Sequence, residues 1–149
     1  MNLKELYQEI ILDHGKNPRN KKKCDGFNKD AKGNNPLCGD KVHVFLKLND
    51  EKQVEDISFE GEGCAISIAS ASIMTEIIKG KDFNVAKIII DNFLNLIKES
   101  KSITLNSLND DQKTTLMSLS GVKDFPMRVK CATMDWHTLS SVLEKNNEN

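Results

Sequence analysis

Four residues of this chain are of the types that hold a metal or carry sulfur, and each stands where the local sequence would aim it from a turn or a helix end. Cys38 and Asp40 flank Gly39 in Leu37-Cys38-Gly39-Asp40, where a glycine lets the chain bend so that a thiol and a carboxylate point at one place. Cys64 follows Gly61-Glu62-Gly63 at the start of an apolar helical stripe, and Cys131 comes soon after Pro126, a residue suited to open a helix. At a helix start, unpaired amides and the positive end of the dipole stabilise a thiolate. Three thiolates and one carboxylate make a four-donor set of the kind that Zn²⁺ takes in tetrahedral geometry. The spacing is not the paired CxxC of a zinc ribbon, however, and three small buried thiols are the commoner reading of cysteines scattered in this way.

Such a centre would be net negative, and a partly desolvated site must offset that charge. Arg128 is the candidate: it precedes Cys131 by three positions, which on a helix brings the two side chains within about 60° of each other. A solvated arginine at a helix start is the plain alternative. Cys24 lies in a polar stretch and reads as an incidental exposed thiol. His43 shares a strand face with Lys41 and Lys47 and reads as solvated, while His14 reads as complementing the end of the first helix. His137 falls about 120° round the helix from Cys131, a poor place for a fourth ligand.

The elements that must position these residues follow from periodicity. Leu3, Leu6, Tyr7, Ile10 and Ile11 mark an amphipathic helix that Gly15 and Asn17-Pro18 stop. The stretch from Asn17 to Pro36 reads as loop, with a weak edge strand near Gly26 to Ala31. Lys41 to Leu48 largely alternates, and Val54 to Phe59 resumes the pattern after Asn49-Asp50-Glu51-Lys52, which predicts an antiparallel hairpin. Ile66, Ala69, Ile73 and Ile77 predict a helix ending near Gly80. Further helices are expected over Phe83 to Lys98, after the cap Asn109-Asp110-Asp111, and from Pro126, with Ala132, Trp136, Leu139 and Leu143 facing the core and a polar tail beyond. The expected fold class is α+β, a small antiparallel sheet with helices packed on it, in a single domain over residues 1–149.

Composition narrows the function. With 21 basic and 22 acidic residues there is no basic stripe to meet phosphates, so nucleic acid is a poor partner. Glu5, Glu9 and Asp13 interrupt the start where an export signal would be apolar. Cys64 to Met74 and Ile88 to Ile90 are too short or broken to span a membrane. A cytoplasmic chain is expected, its four cysteines reduced and free for metal or sulfur chemistry rather than disulfides.

Three segments carry a resemblance. Asn35-Pro36-Leu37-Cys38-Gly39-Asp40, the run from Phe59 through Gly63-Cys64 to Ser72, and Arg128-Val129-Lys130-Cys131-Ala132-Thr133 with Trp136 resemble the signature segments of the SufU/IscU family, also called NifU N-terminal-like. The first helix and Asn17-Pro18-Arg19-Asn20 resemble its N-terminus, so the likeness covers nearly the whole chain. The resemblance implies a metal site on Cys38, Asp40, Cys64 and Cys131, a role in iron-sulfur cluster assembly, a pyridoxal-phosphate cysteine desulfurase as partner and downstream assembly proteins after it. IscU-type scaffolds carry a histidine before the third cysteine and a double proline upstream; here those places read Lys130 and Phe125-Pro126-Met127. Cys131 follows Cys64 by 67 positions, an interval like that of the SufU branch, which has an insertion there. The resemblance therefore implies a zinc-dependent sulfurtransferase in which the desulfurase hands a persulfide sulfur to Cys38, with Arg128 beside it. The alternatives are a scaffold that builds a [2Fe-2S] cluster with iron on the same ligands, and a structural zinc domain that only binds a partner.

Overall fold

The computed structural model describes residues 2–99 and 107–145, and its element order is one helix, three strands and four further helices. Helix α1 spans Leu3–Lys16, with the Asn2 side chain accepting from the Glu5 amide at its N-cap. Strands β1 (Lys29–Asn35), β2 (Asp40–Leu48) and β3 (Val54–Glu62) form an antiparallel sheet in sequence order. Then come α2 (Ala65–Ile78), α3 (Phe83–Glu99), α4 (Asp110–Leu119), a 3₁₀ turn (Ser120–Asp124) and α5 (Pro126–Lys145). Helix α5 continues past the expected end of the core stripe at Leu143, and the rest of the polar tail lies outside the described residues. Among the described residues no helix is long and apolar enough to cross a membrane.

The hairpin follows the alternation of its sequence. Val42, Val44, Leu46 and Leu48 turn one face of β2 into the core, where they join Val54, Ile57 and Phe59 of β3. Phe45 breaks the pattern: it points the other way yet is only 1% exposed, because Phe27 meets it edge-on and the His43 ring lies 4.1 Å from it. That cover also corrects the expectation for His43, which is half-buried and bonds Asp30 through Nε2 at 2.6 Å. The first strand lies later than expected, at Lys29–Asn35, since pairing with β2 extends it to the turn before Cys38. The outer edge of β3 is closed by loops, with the Phe59 amide bonding Asn20 O and Val54 exchanging bonds with Gly80 and Lys81.

Helix α2 is the centre of the helical layer. Its small residues let α1 and α5 approach closely, and its buried hydroxyls tie them down. Ser72 Oγ lies 2.8 Å from His14 Nδ1 and accepts from the Arg19 amide, which fastens α1 and the loop after it. Ser70 Oγ accepts from Trp136 Nε1 at 2.9 Å and donates to Ala132 O, which fastens α5. Trp136, fully buried, packs on Phe93 of α3. His14 is in the last turn of α1, as expected, but it is a buried connector to α2. Cys24 is likewise buried, at 2% exposure, its amide bonded to the buried Ser58 Oγ; the polar composition of its loop concealed this.

Two buried titratable groups give opposite pH dependences. Burial, helped by the Arg19 charge, lowers the His14 pKa, so the unfolded chain binds a proton that the folded one refuses. Stability from this residue is present above about pH 6.5 and is lost as pH falls below it. We expect denaturant midpoints of the metal-free chain to drop as pH falls below about 6.5, with a flatter profile in His14→Gln. Asp135 is buried, its Oδ2 has no hydrogen-bond partner, and burial followed by the Asp40 charge holds its pKa well above the usual range. Its favourable share is present below about pH 4 and lost as pH rises. Asp135→Ala should stabilise the metal-free chain by about 1–3 kcal/mol at pH 7, and thermal melts should show that gain shrinking towards pH 4.

Candidate metal centre

The centre is assembled where β1 turns into β2 and meets the start of α2 and the second turn of α5. Asn35 pairs with Asp40 across the hairpin, and Asn35 O accepts from the amides of Cys38 and Gly39 at 3.2 and 2.9 Å. Gly39 closes this turn with a φ of +73°, a conformation that L side chains rarely adopt. Asp40 is fully buried at the first position of β2. Its Oδ1 accepts from the Cys64 amide at 2.9 Å, and its Oδ2 accepts from Asn35 Nδ2 at 3.4 Å. Gly63 makes room for this carboxylate: its φ is +151°, and a Cβ there would collide with Asp40 Oδ1.

Cys38, Asp40 and Cys131 converge, their donor atoms all lying within 4.8 Å of one another. The two sulfurs are 3.4 Å apart. A tetrahedral zinc site with the usual bond lengths has edges of about 3.5–3.8 Å, so the sulfur pair already stands near the spacing the ion needs, with a carboxylate oxygen within 4.8 Å of both. Cys64 sits at the N-cap of α2, as expected; its thiol is half-buried, and its sulfur stands outside the tight set of three. Cys131 differs from expectation in place. It is in the second turn of α5, beyond the first-turn amides, and is fully buried. Burial, and then hydrogen bonding with Asp40, Cys38 and Cys64, push its thiol well above the usual range, so without a metal it holds its proton.

Cys38 is the half-buried member of the converging three, and Arg128, itself exposed, reaches it with Nη1 at 4.0 Å from Sγ. The adjacent cysteines, Cys131 first, raise the Arg128 pKa in turn. His137 is exposed on α5 and takes no part in the converging group.

Two neighbours were not singled out from sequence. Asn35 is 4% exposed, and its Nδ2 reaches both Asp40 and, at 3.7 Å, the Cys131 sulfur. Its place at the head of Asn35-Pro36-Leu37-Cys38-Gly39-Asp40 was the available signal. Tyr7 was read only as a packing residue of α1. It stacks on Phe125, while its hydroxyl is buried without a hydrogen-bond partner; burial and then the charge of Cys64 raise its pKa, opposed by Arg128.

Residues 6–132 match the family model described as the NifU-like N-terminal domain. The chain is 43% identical over 147 residues to the zinc-dependent sulfurtransferase SufU of Bacillus subtilis, covering 97% of this chain and 93% of that one. It is 34% identical over 144 residues to the iron-sulfur cluster assembly scaffold protein IscU of Streptococcus pyogenes, covering 97% and 86%. Among solved structures it superposes, with a TM-score of 0.81 and 34% identity over 93% of this chain and 97% of the other, on a SUF-system scaffold protein from Fervidobacterium islandicum. The fold, the glycine-cradled carboxylate with its cysteines, and these likenesses agree: the chain belongs to the NifU-like N-terminal domain family, whose members include SufU and IscU.

Proposed function

We propose that this chain is a zinc-dependent sulfurtransferase of iron-sulfur cluster assembly, taking persulfide sulfur from a pyridoxal-phosphate cysteine desulfurase onto Cys38 and passing it to downstream assembly proteins. The observation that carries the proposal is the unequal exposure of the converging donors: Asp40 and Cys131 are buried, while Cys38 is half-exposed on a glycine turn beside Arg128. A closed structural site has no need of one accessible thiol. The 43% identity to a protein named for this activity supports the same reading.

Cys38, Asp40, Cys64 and Cys131 would hold the zinc, which when bound keeps thiolates unreactive until a partner displaces one of them. Asn35 and the Cys64 amide hold Asp40 in place, and Arg128 offsets the negative charge of the donors. In the transfer, the Cys38 thiolate attacks the outer sulfur of the desulfurase persulfide. A new S–S bond forms at Cys38, the old one breaks, and the desulfurase thiolate leaves with no net change in oxidation level. A second reading, in which the same side chains receive iron and sulfide as a [2Fe-2S] cargo, is supported by the likeness to IscU. Lys130 in place of the scaffold histidine weighs against it.

Incubation with a desulfurase, pyridoxal phosphate and cysteine should add one sulfur to Cys38 by mass spectrometry, and Cys38→Ser should abolish that addition while the fold survives. Sulfur accumulating on Cys64 or Cys131 of that variant at the wild-type rate would sink the direct-acceptor role. In Asp40→Ala, loss of one donor together with its bonds to Asn35 and the Cys64 amide should weaken zinc retention at least tenfold. Cys38 should then alkylate faster, as thiol-blocking kinetics with a chelator titration would show. A coloured species after iron and sulfide, with no sulfur on Cys38, would favour the scaffold.

A further inference from the structure

The Cys38 and Cys131 sulfurs are 3.4 Å apart, and they belong to different segments 93 positions apart in the chain. A disulfide bond is about 2.05 Å long, so bonding them requires a closing movement of about 1.4 Å. The structure supplies a place for that movement. Cys38 rides a turn ended by Gly39, and the space where a Gly39 Cβ would stand is empty to 4 Å. Cys131, by contrast, is held in a helix and fully buried. The other two cysteines are worse placed: Cys64 also neighbours the Cys131 thiol, but its sulfur lies outside the tight set, and Cys24 is buried beside Ser58, apart from the cluster.

From this juxtaposition we infer that Cys38 and Cys131 form a reversible disulfide modification site, by which a peroxide closes the centre. The two thiols have the division of labour that such sites use, one accessible to attack the oxidant and one sheltered to resolve the product. Cys38, half-exposed with Arg128 Nη1 4.0 Å away, attacks the peroxide through its sulfur and gives up its proton in doing so, with the guanidinium beside the reacting atom. Its sulfur gains one oxygen as a sulfenic acid while the peroxide O–O bond breaks and, with a proton, leaves as water. The Cys131 thiol then attacks the Cys38 sulfur and gives its proton to the departing hydroxyl, which leaves as a second water as the S–S bond forms. Two electrons pass in all from the sulfur pair to the peroxide, and a dithiol reductant returns them. Because Cys131 is already in contact, the sulfenic acid is trapped before a second peroxide can take it to the irreversible sulfinic acid.

The consequence for the centre rests on the zinc reading above. The disulfide removes two of the four donors and the sulfur-accepting thiol together, so metal leaves and sulfur entry stops until the bond is reduced.

The test is graded hydrogen peroxide on the zinc-loaded full chain, with a chromophoric chelator reporting released metal. The protein is then alkylated and digested without reduction for mass spectrometry. We expect zinc release in step with the loss of two thiols, a peptide pair joined through Cys38 and Cys131, and recovery of both thiols and metal binding on adding dithiothreitol and zinc. Metal-free chain should form the same link faster, and Cys64→Ser should still form it. In Cys131→Ser, dimedone should instead trap the Cys38 sulfenic acid. A link through Cys64 or Cys24, or Cys38 sulfinic acid with no link, overturns the proposal. If the metal-free chain links Cys38 to Cys131 but the zinc-loaded chain resists peroxide, the coupling to metal is wrong. If the chain never binds zinc, the functional reading fails while the metal-free arm still decides the disulfide.

Discussion

The Asp40 carboxylate is the joint on which the centre depends. It is fully buried, and a charge there is tolerable only if its oxygens are met. One oxygen accepts from the amide of Cys64 at the head of α2, the other from the Asn35 side chain at the end of β1. The hairpin and the central helix are thereby pinned to each other through one side chain. Gly63 has no alternative at its position, because any side chain would occupy the carboxylate's space. The turn carrying Cys38 hangs from the same hairpin, so the placing of that thiol against Cys131 follows from where Asp40 is held.

Around this joint the helical layer is built from small residues more than from large ones. The serines of α2 sit in the core, which is costly unless each hydroxyl finds a partner. Ser72 and Ser70 find theirs on α1, on the loop after it and on α5, so the polar groups that seem misplaced on an apolar helix are its fastenings. They also set the approach of α5, and with it the depth at which Cys131 lies.

The buried polar atoms without partners mark where stability has been given up. Among the described residues they are Tyr7 Oη, Ser118 Oγ and Asp135 Oδ2. Tyr7 lies near Cys64, Arg128 and Cys131, and Asp135 near Asp40, so two of the three border the donor cluster. A buried carboxylate such as Asp40 in a partly dry site raises the cost of a polar neighbour left without a partner. Without a metal the Cys131 thiol keeps its proton, and a cation at the centre would let the thiols ionise beside these groups.

Much of this was legible in the chain itself. Alternation in Lys41–Leu48 specified the hairpin, the stripe from Ile66 to Ile77 specified α2, and Pro126 specified where α5 begins, because these signals are local and periodic. Cys38, Asp40, Cys64, Cys131 and Arg128 could be singled out because residue type and the glycines beside them are also local. What the tertiary structure alone decided are relations across the chain. Asn35 reaches the Cys131 sulfur across 96 positions, His14 meets Ser72 across 58, and Cys24 is buried by a strand 34 positions away. Which thiols stay accessible, and which two sulfurs converge on Asp40, likewise depends on how deeply α5 packs against the sheet and α2. No local pattern encodes such distances: they result from the packing of the whole core, which brings remote segments together only once the chain has folded.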